Sequence, residues 1–197
     1  MKNNDYVLDM TAQSGGVITS FQVSRAGFQR RVLSELVRDG KLYRVERGVY
    51  ALPDTWEDEM YLLQNRFSKG IFSHGTALWM HGLSDRTPLA YTMTFQRGYN
   101  TGGVKNVGVT AKTTLPELYD LGVVEMQSHF GNPIRVYDKE RTLCDIVKGN
   151  STGDISIVNA AMKTYAASRD KNINKLMTTA ERLRVEPKIR RYMEVLL

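Results

Sequence analysis

Residues 73–82 read SHGTALWMHG, and they hold two of the chain's three histidines. Ser73 sits beside His74, and His81 follows seven positions later. Two chemistries suggest themselves: a metal ion held by both imidazoles, or a serine nucleophile with histidine as its base. A metal needs both ligands within reach of one ion. The H-E-x-x-H motif achieves this with an i, i+4 spacing on one helical face. Seven residues also return to one face, but roughly 10 Å further along at about 1.5 Å per residue, too far for a shared ion. The nucleophile reading lacks the G-x-S-x-G elbow. Ser73 fits better as the N-cap of a short helix with Ala77, Leu78 and Trp79 or Met80 on its buried side, closed by Gly82.

The remaining candidates are weaker. His129 is isolated. Cys144 lies among apolar residues and reads as a small buried side chain. Asp138, Glu140 and Asp145 are acidic neighbours of the kind that helix caps and exposed faces use routinely. Gly102-Gly103 is not followed by Lys-Ser/Thr at P-loop spacing. The expectation is a protein without catalytic residues, metal or cofactor, and not an enzyme.

The chain has 197 residues, enough for one ordinary domain or two small ones. The single Cys144 excludes an internal disulfide and fits a reducing compartment. No apolar run approaches the roughly 18–20 residues that span a bilayer. The start, MKNNDYVLDM, has no apolar signal core, so a cytoplasmic protein is expected. The net charge of +6 is unevenly spread. Residues 1–53 carry +3, residues 54–149 carry −1 and residues 150–197 carry +4. Two basic ends flank a near-neutral middle, which suits a polyanionic partner or simply solvated helices.

The elements that position the N-terminal charges can be read in order. Residues 5–13 form a helix with Tyr6, Val7 and Met10 on its inward stripe, stopped by Gly15-Gly16. Val17-Ile18 is extended. Thr19-Ser20-Phe21-Gln22 has the T-x-x-Q form of a capping box and opens a helix over 20–26. Gly27 turns the chain. A third helix follows from about Gln29 to Asp39, with Val32, Leu33, Leu36 and Val37 inward and Gly40 closing it. Strands over 41–45 and 49–52 pair around Glu46-Arg47-Gly48. This order is that of a winged helix-turn-helix, in which the third helix enters the major groove. Gln29, Arg30, Arg31 and Ser34 would face base edges, since Arg matches the guanine edge and Gln matches adenine. Arg44 and Arg47 on the wing, with Lys41, would meet phosphate or the minor groove. A protein-docking module with solvated arginines is the alternative.

Pro53 marks a boundary. Asp54 or Thr55 is expected to cap a helix bearing Trp56, Met60, Leu63 and Phe67. Strands are expected over 91–95, 107–111, 123–127 and 134–137, with a flexible loop over 97–103 and a turn at Gly131-Asn132-Pro133. Asp138 can cap the helix KERTLCDIVKG. Three helices follow, over about 155–168, 173–184 and from Pro187 onward. The fold class is thus α+β, with residues 1–53 as a DNA-binding domain and 54–197 as a domain of a small sheet plus C-terminal helices.

Three stretches, GKLYRVERGVYALP, FSHGTALWMHGLSDRTP and DKERTLCDIV, occur here in one order. Together they resemble the AbiEi antitoxin family of type IV toxin–antitoxin systems in bacteria. The resemblance implies an N-terminal domain that represses its own operon by binding promoter repeats. It also implies a C-terminal domain that counters an AbiEii toxin, a nucleotidyltransferase-like protein of phage abortive infection, without a stable complex. Arg182, Arg184, Lys188, Arg190 and Arg191 form a basic surface that charge alone nominates for antitoxicity. The chain departs from relatives at Gly27-Phe28-Gln29-Arg30, where Gly-Ile-Ser-Arg is common, and Gln29 is a poorer N-cap than serine. No heptad or apolar seam points to a dimer, so a monomer binding DNA cooperatively is expected. A winged-helix regulator whose second domain senses a ligand stands as the alternative, and a nucleic-acid-processing enzyme using His74 or the acidic cluster as a third.

Overall fold

The computed structural model describes residues 3–53, 55, 58–148 and 155–196, which form a mixed α+β protein with two sheets. The chain divides into two compact units, residues 1–68 with 127–134 and residues 69–126 with 135–197.

The first unit opens with α1 (Asn3–Gln13), which buries Val7 and Thr11. Tyr6 does not join the inward stripe expected of it. It is 47% exposed and lays its ring against Phe28, with centroids 5.1 Å apart. Then come β1 (Val17–Thr19) and α2 (Ser20–Arg25). The capping box forms as the spacing predicts: Thr19 Oγ1 accepts from the Gln22 amide at 3.2 Å, and Gln22 Oε1 accepts from the Thr19 amide at 2.7 Å.

The third helix, α3 (Arg31–Arg38), begins two residues later than its expected start at Gln29. Arg30 holds the N-cap position without a side-chain cap bond. The helix opens instead through two tight backbone turns, Val32 N to Gln29 O and Leu33 N to Arg30 O, each at 3.1 Å. Gln and Arg offer no short acceptor to do a serine's work there. Val32, Leu33 and Leu36 anchor α3 on Val7, Ile18, Val23 and Leu42. The strands β2 (Tyr43–Glu46) and β3 (Val49–Ala51) follow, and β3 is the middle strand of an antiparallel sheet ordered β1-β3-β2.

The unit's last helix, α4 (Glu59–Arg66), is capped by Asp58 rather than by Asp54 or Thr55. Asp58 Oδ1 accepts from the Tyr61 amide at 3.0 Å. Its Oδ2 accepts from Asn132 Nδ2 at 2.9 Å and from the Ser128 hydroxyl. Thr55 instead donates to Gly16 O at 3.3 Å. Asp54 and Trp56 lie outside the described residues.

The second unit runs through β4 (Ile71–Phe72), α5 (His74–Met80), β5 (Thr92–Gln96), α6 (Gly102–Lys105), β6 (Thr110–Thr114) and α7 (Pro116–Tyr119). It continues with β7 (Val123–Gln127) and β8 (Pro133–Tyr137), both where the sequence places strands. The sheet order is β6-β5-β4-β8-β7, with β5 and β6 parallel. Two local expectations fail. The end of the loop expected over 97–103 is taken by α6, which starts at Gly102, and the strand expected over 107–111 lies over 110–114. Val109 has the apolar character of a strand residue, but it is buried on the way into β6, after Gly108 turns the chain at φ +77°.

Helix α8 (Lys139–Lys148) starts where Asp138 Oδ1 accepts from the Arg141 amide at 2.7 Å, the cap its sequence suggests. Every residue from Glu140 to Val147 is buried. It packs against α5 and against α9 (Ile155–Ala167), α10 (Ile173–Leu183) and α11 (Glu186–Leu196). Leu143, Ile146, Met162, Leu176 and Ile189 form the shared core. None of the described helices is long and apolar enough to cross a membrane.

Candidate nucleic-acid interface

Gln29, Arg30, Arg31 and Ser34 are all exposed at the opening of α3. They are brought together because Val32, Leu33 and Leu36 claim the opposite face for the core. Two of these side chains are held by neighbours. Arg30 Nε donates to Ser24 Oγ at 3.1 Å, and Arg31 Nε lies 3.0 Å from Glu35 Oε1. The i, i+4 spacing of Arg31 and Glu35 is readable in the sequence. The Ser24 contact is not, because it depends on the turn at Gly27 that joins α2 to α3.

The hairpin carries Lys41, Arg44 and Arg47, which are exposed as well. Arg47-Gly48 forms the turn, and Gly48 adopts φ +83°, a conformation that favours glycine. Its carbonyl accepts from the Ser20 amide at 2.8 Å, which ties the turn to the start of α2. The register shifts between Arg44 and Glu46, and Arg44 Nε donates to Glu46 O at 3.2 Å. Cationic tips on a short hairpin beside an arginine-bearing helix suit phosphate and base-edge contacts.

The C-terminal arginines are engaged within their own unit. Arg182 Nη2 donates to Glu117 O at 3.3 Å, and Lys188 Nζ donates to Val147 O at 3.4 Å. Arg190 pairs with Glu186 at 2.5 Å. Arg184 closes α10 in the left-handed conformation, φ +60°. Arg191 is exposed.

SHGTALWMHG folds as the short helix its pattern suggests, but not through a serine cap. Ser73 occupies the N-cap position and its side chain makes no cap bond. It is fully buried, accepts from Thr94 Oγ1 at 2.8 Å and lies 3.0 Å from His74 Nδ1. His74 takes φ +52°, and burial, with Lys112 and Arg141 nearby, pulls its pKa down to about 4. His81 is bound elsewhere: its Nε2 donates to Tyr137 O at 2.7 Å. Burial lowers its pKa too, against the pull of that carbonyl.

Asp138 caps α8 as expected, but it, Glu140 and Asp145 are all buried, so none of them sits on an exposed face. Arg141 explains why. It is itself 1% exposed and lies 3.0 Å from Asp145 through Nε. It donates from Nη1 to Leu118 O at 2.5 Å and Leu121 O at 3.1 Å. Burial raises the Asp145 pKa while Arg141 opposes the rise. Lys175 reaches Asp138 at 2.8 Å, and Tyr165 donates to Glu140 at 2.7 Å. Cys144 is buried and its thiol is pushed up in pKa, chiefly by that burial. Among the described residues no three His, Cys, Asp or Glu side chains are placed to hold a metal.

Residues 5–53, which include the whole cationic face of α3 and its hairpin, match a family model described as "Transcriptional regulator, AbiEi antitoxin". Over those residues, about a quarter of the chain, the resemblance to the AbiEi antitoxins is borne out. The AbiEi match places Arg30, Arg31, Arg44 and Arg47 inside the segment shared with that regulator family. Over nearly the full chain the fold is similar to the crystal structure of RV2827C protein from Mycobacterium tuberculosis. The TM-score is 0.54 at 12% identity, covering 98% of this chain and 81% of that one. At that identity the likeness is one of fold alone. No curated protein matches the sequence.

Proposed function

We propose that this protein is a bacterial type IV antitoxin that represses its own operon and counters an AbiEii-type, nucleotidyltransferase-like toxin. The observation that carries the reading is the AbiEi regulator match over 5–53, coinciding with an exposed cationic helix and hairpin. Residues 1–53 act as a winged helix-turn-helix in the cytoplasm. Arg30 and Arg31, with Gln29 and Ser34, read base edges of promoter repeats, while Lys41, Arg44 and Arg47 hold phosphate. Residues 54–197 carry antitoxicity, acting without a stable complex with the toxin. The protein binds the repeats as a monomer, cooperatively.

The test is binding of the full chain to duplex DNA from upstream of its own gene. R30A/R31A is expected to abolish the preference for that DNA over a random duplex. Replacing each phosphate-binding cation should lower the salt slope by about one unit. Unchanged binding by R30A/R31A would remove the assignment. Co-expression with the adjacent toxin gene tests the second half: growth should be rescued by the full chain, and failure of rescue sinks the antitoxin reading.

A further inference from the structure

The hairpin of the first unit has two faces, and its register separates them. Arg44 pairs with Tyr50, and Glu46 pairs with Val49 across the register shift. Cross-strand partners lie on one side of a sheet, and adjacent residues of a strand lie on opposite sides. Tyr50 packs on the core around Leu33 and Leu36, so Arg44 is on the α3 side. Val49 and Glu46 are on the other side, where α4 ends at Arg66.

A cleft of about 400 Å³ opens there, lined by Glu46, Arg47, Val49, Asn65 and Arg66. All five residues belong to the first unit. Two arginines and one glutamate leave the cleft with a net charge of +1. Arg47 has no hydrogen-bond or ion-pair partner among the described residues. Arg66 is half exposed and only loosely paired: its Nη1 is 3.9 Å from Glu46 Oε2, beyond hydrogen-bond distance. The Phe67 ring braces its guanidinium, 5.5 Å from the centroid. Asn65 Nδ2 is committed to Tyr61 O at 2.9 Å. The cleft's main donors are therefore two guanidinium groups, one free and one loosely held. A guanidinium fork matches the oxygens of a phosphate.

We infer that this cleft receives a backbone phosphate of duplex DNA, with Arg66 and Arg47 as its cations and Glu46 holding Arg66 until the DNA arrives. The inference rests on the promoter-binding reading and extends it to α4, beyond the matched residues 5–53. Arg44 lies on the α3 side of the hairpin, Arg66 on the α4 side and Arg47 at the turn. The wing thus carries cations for both of the backbones that border a groove.

The test uses the full chain and two fluorescent duplexes, one from upstream of its own gene and one of random sequence. Anisotropy is followed across a salt series. R66A is expected to weaken binding to both duplexes by the same several-fold factor, because phosphates carry no sequence. Its salt slope should fall by about 0.9, the value of one phosphate contact. R66K keeps the charge and should keep the slope. E46Q should tighten binding to both duplexes, since it removes a negative charge beside the phosphate and releases Arg66. A merely structural pair would instead weaken binding in R66A and E46Q alike. Wild-type affinity and slope in R66A, or weaker binding by E46Q, would overturn the inference. A wild type with no preference for the upstream duplex would fail the promoter reading, and the R66A slope on the random duplex would still decide the cleft.

Discussion

His74 shows how one residue reports its surroundings. A non-glycine side chain at φ +52° is uncommon, and it persists only where neighbours fix it. Here the Ser73 hydroxyl does so, itself held by Thr94. The folded protein keeps this imidazole neutral, with a pKa near 4 against an ordinary 6.5. Between those values the unfolded chain binds the proton and the folded chain does not. Stability is therefore full above pH 6.5 and falls as pH drops toward 4, by at most about 3 kcal/mol from this group. His81, also lowered, acts in the same direction. His74→Asn removes the titration and suits the left-handed backbone. Urea unfolding at several pH values should show a flatter acid limb for H74N than for the wild type. An identical limb would assign the acid sensitivity to other groups.

Elements were legible where their signals are local. The capping box of α2 depends on residues three apart, and it is formed. The Asp138 cap is local too, and it is present. Thr19→Ala should cost about 1 kcal/mol and speed amide exchange in α2 before elsewhere. Signals failed where a distant partner decides. Ser73 had the form of a cap, but Thr94, far along the chain, takes its hydroxyl. Asp58 outcompetes Asp54 and Thr55 because Ser128 and Asn132 reach the same carboxylate. The burial of the α8 charges was hidden in the same way. Its charges read as solvated, yet Arg141 is buried against Asp145, two carbonyls and the Tyr137 ring, 4.3 Å from its guanidinium. Removing one partner of a buried pair strands the other, at about 3–5 kcal/mol. Arg141→Ala should therefore destabilise the second unit by about that much in denaturant titrations. Arg141→Lys should recover only part of it, because an ammonium cannot span the guanidinium's fork of acceptors.

At the scale of the whole molecule, the candidate interface in 1–53 was legible because exposed arginines alternate with an apolar helical face. The C-terminal basic surface was legible only as charge. Its members have structural duties that spacing does not reveal, and these dictate how it must be tested. Arg184 closes α10 at φ +60°, where glycine is the residue least strained. An all-alanine variant would confound lost charge with a strained helix end. R182Q/R184G/R190Q/R191Q removes the four charges and keeps the α10 end. Each unit has its own apolar core, one around Leu33 and Leu36 and one around Leu143 and Ile146. Surface changes in one should therefore leave the fold of the other intact. The quadruple variant is expected to bind promoter DNA normally while rescuing toxin-expressing cells less well than the wild type. R30A/R31A should show the reverse, lost repression with rescue retained. Growth and promoter-reporter assays on the same strains read both outcomes. Full rescue by a quadruple variant with a wild-type thermal midpoint would move antitoxicity off these helices.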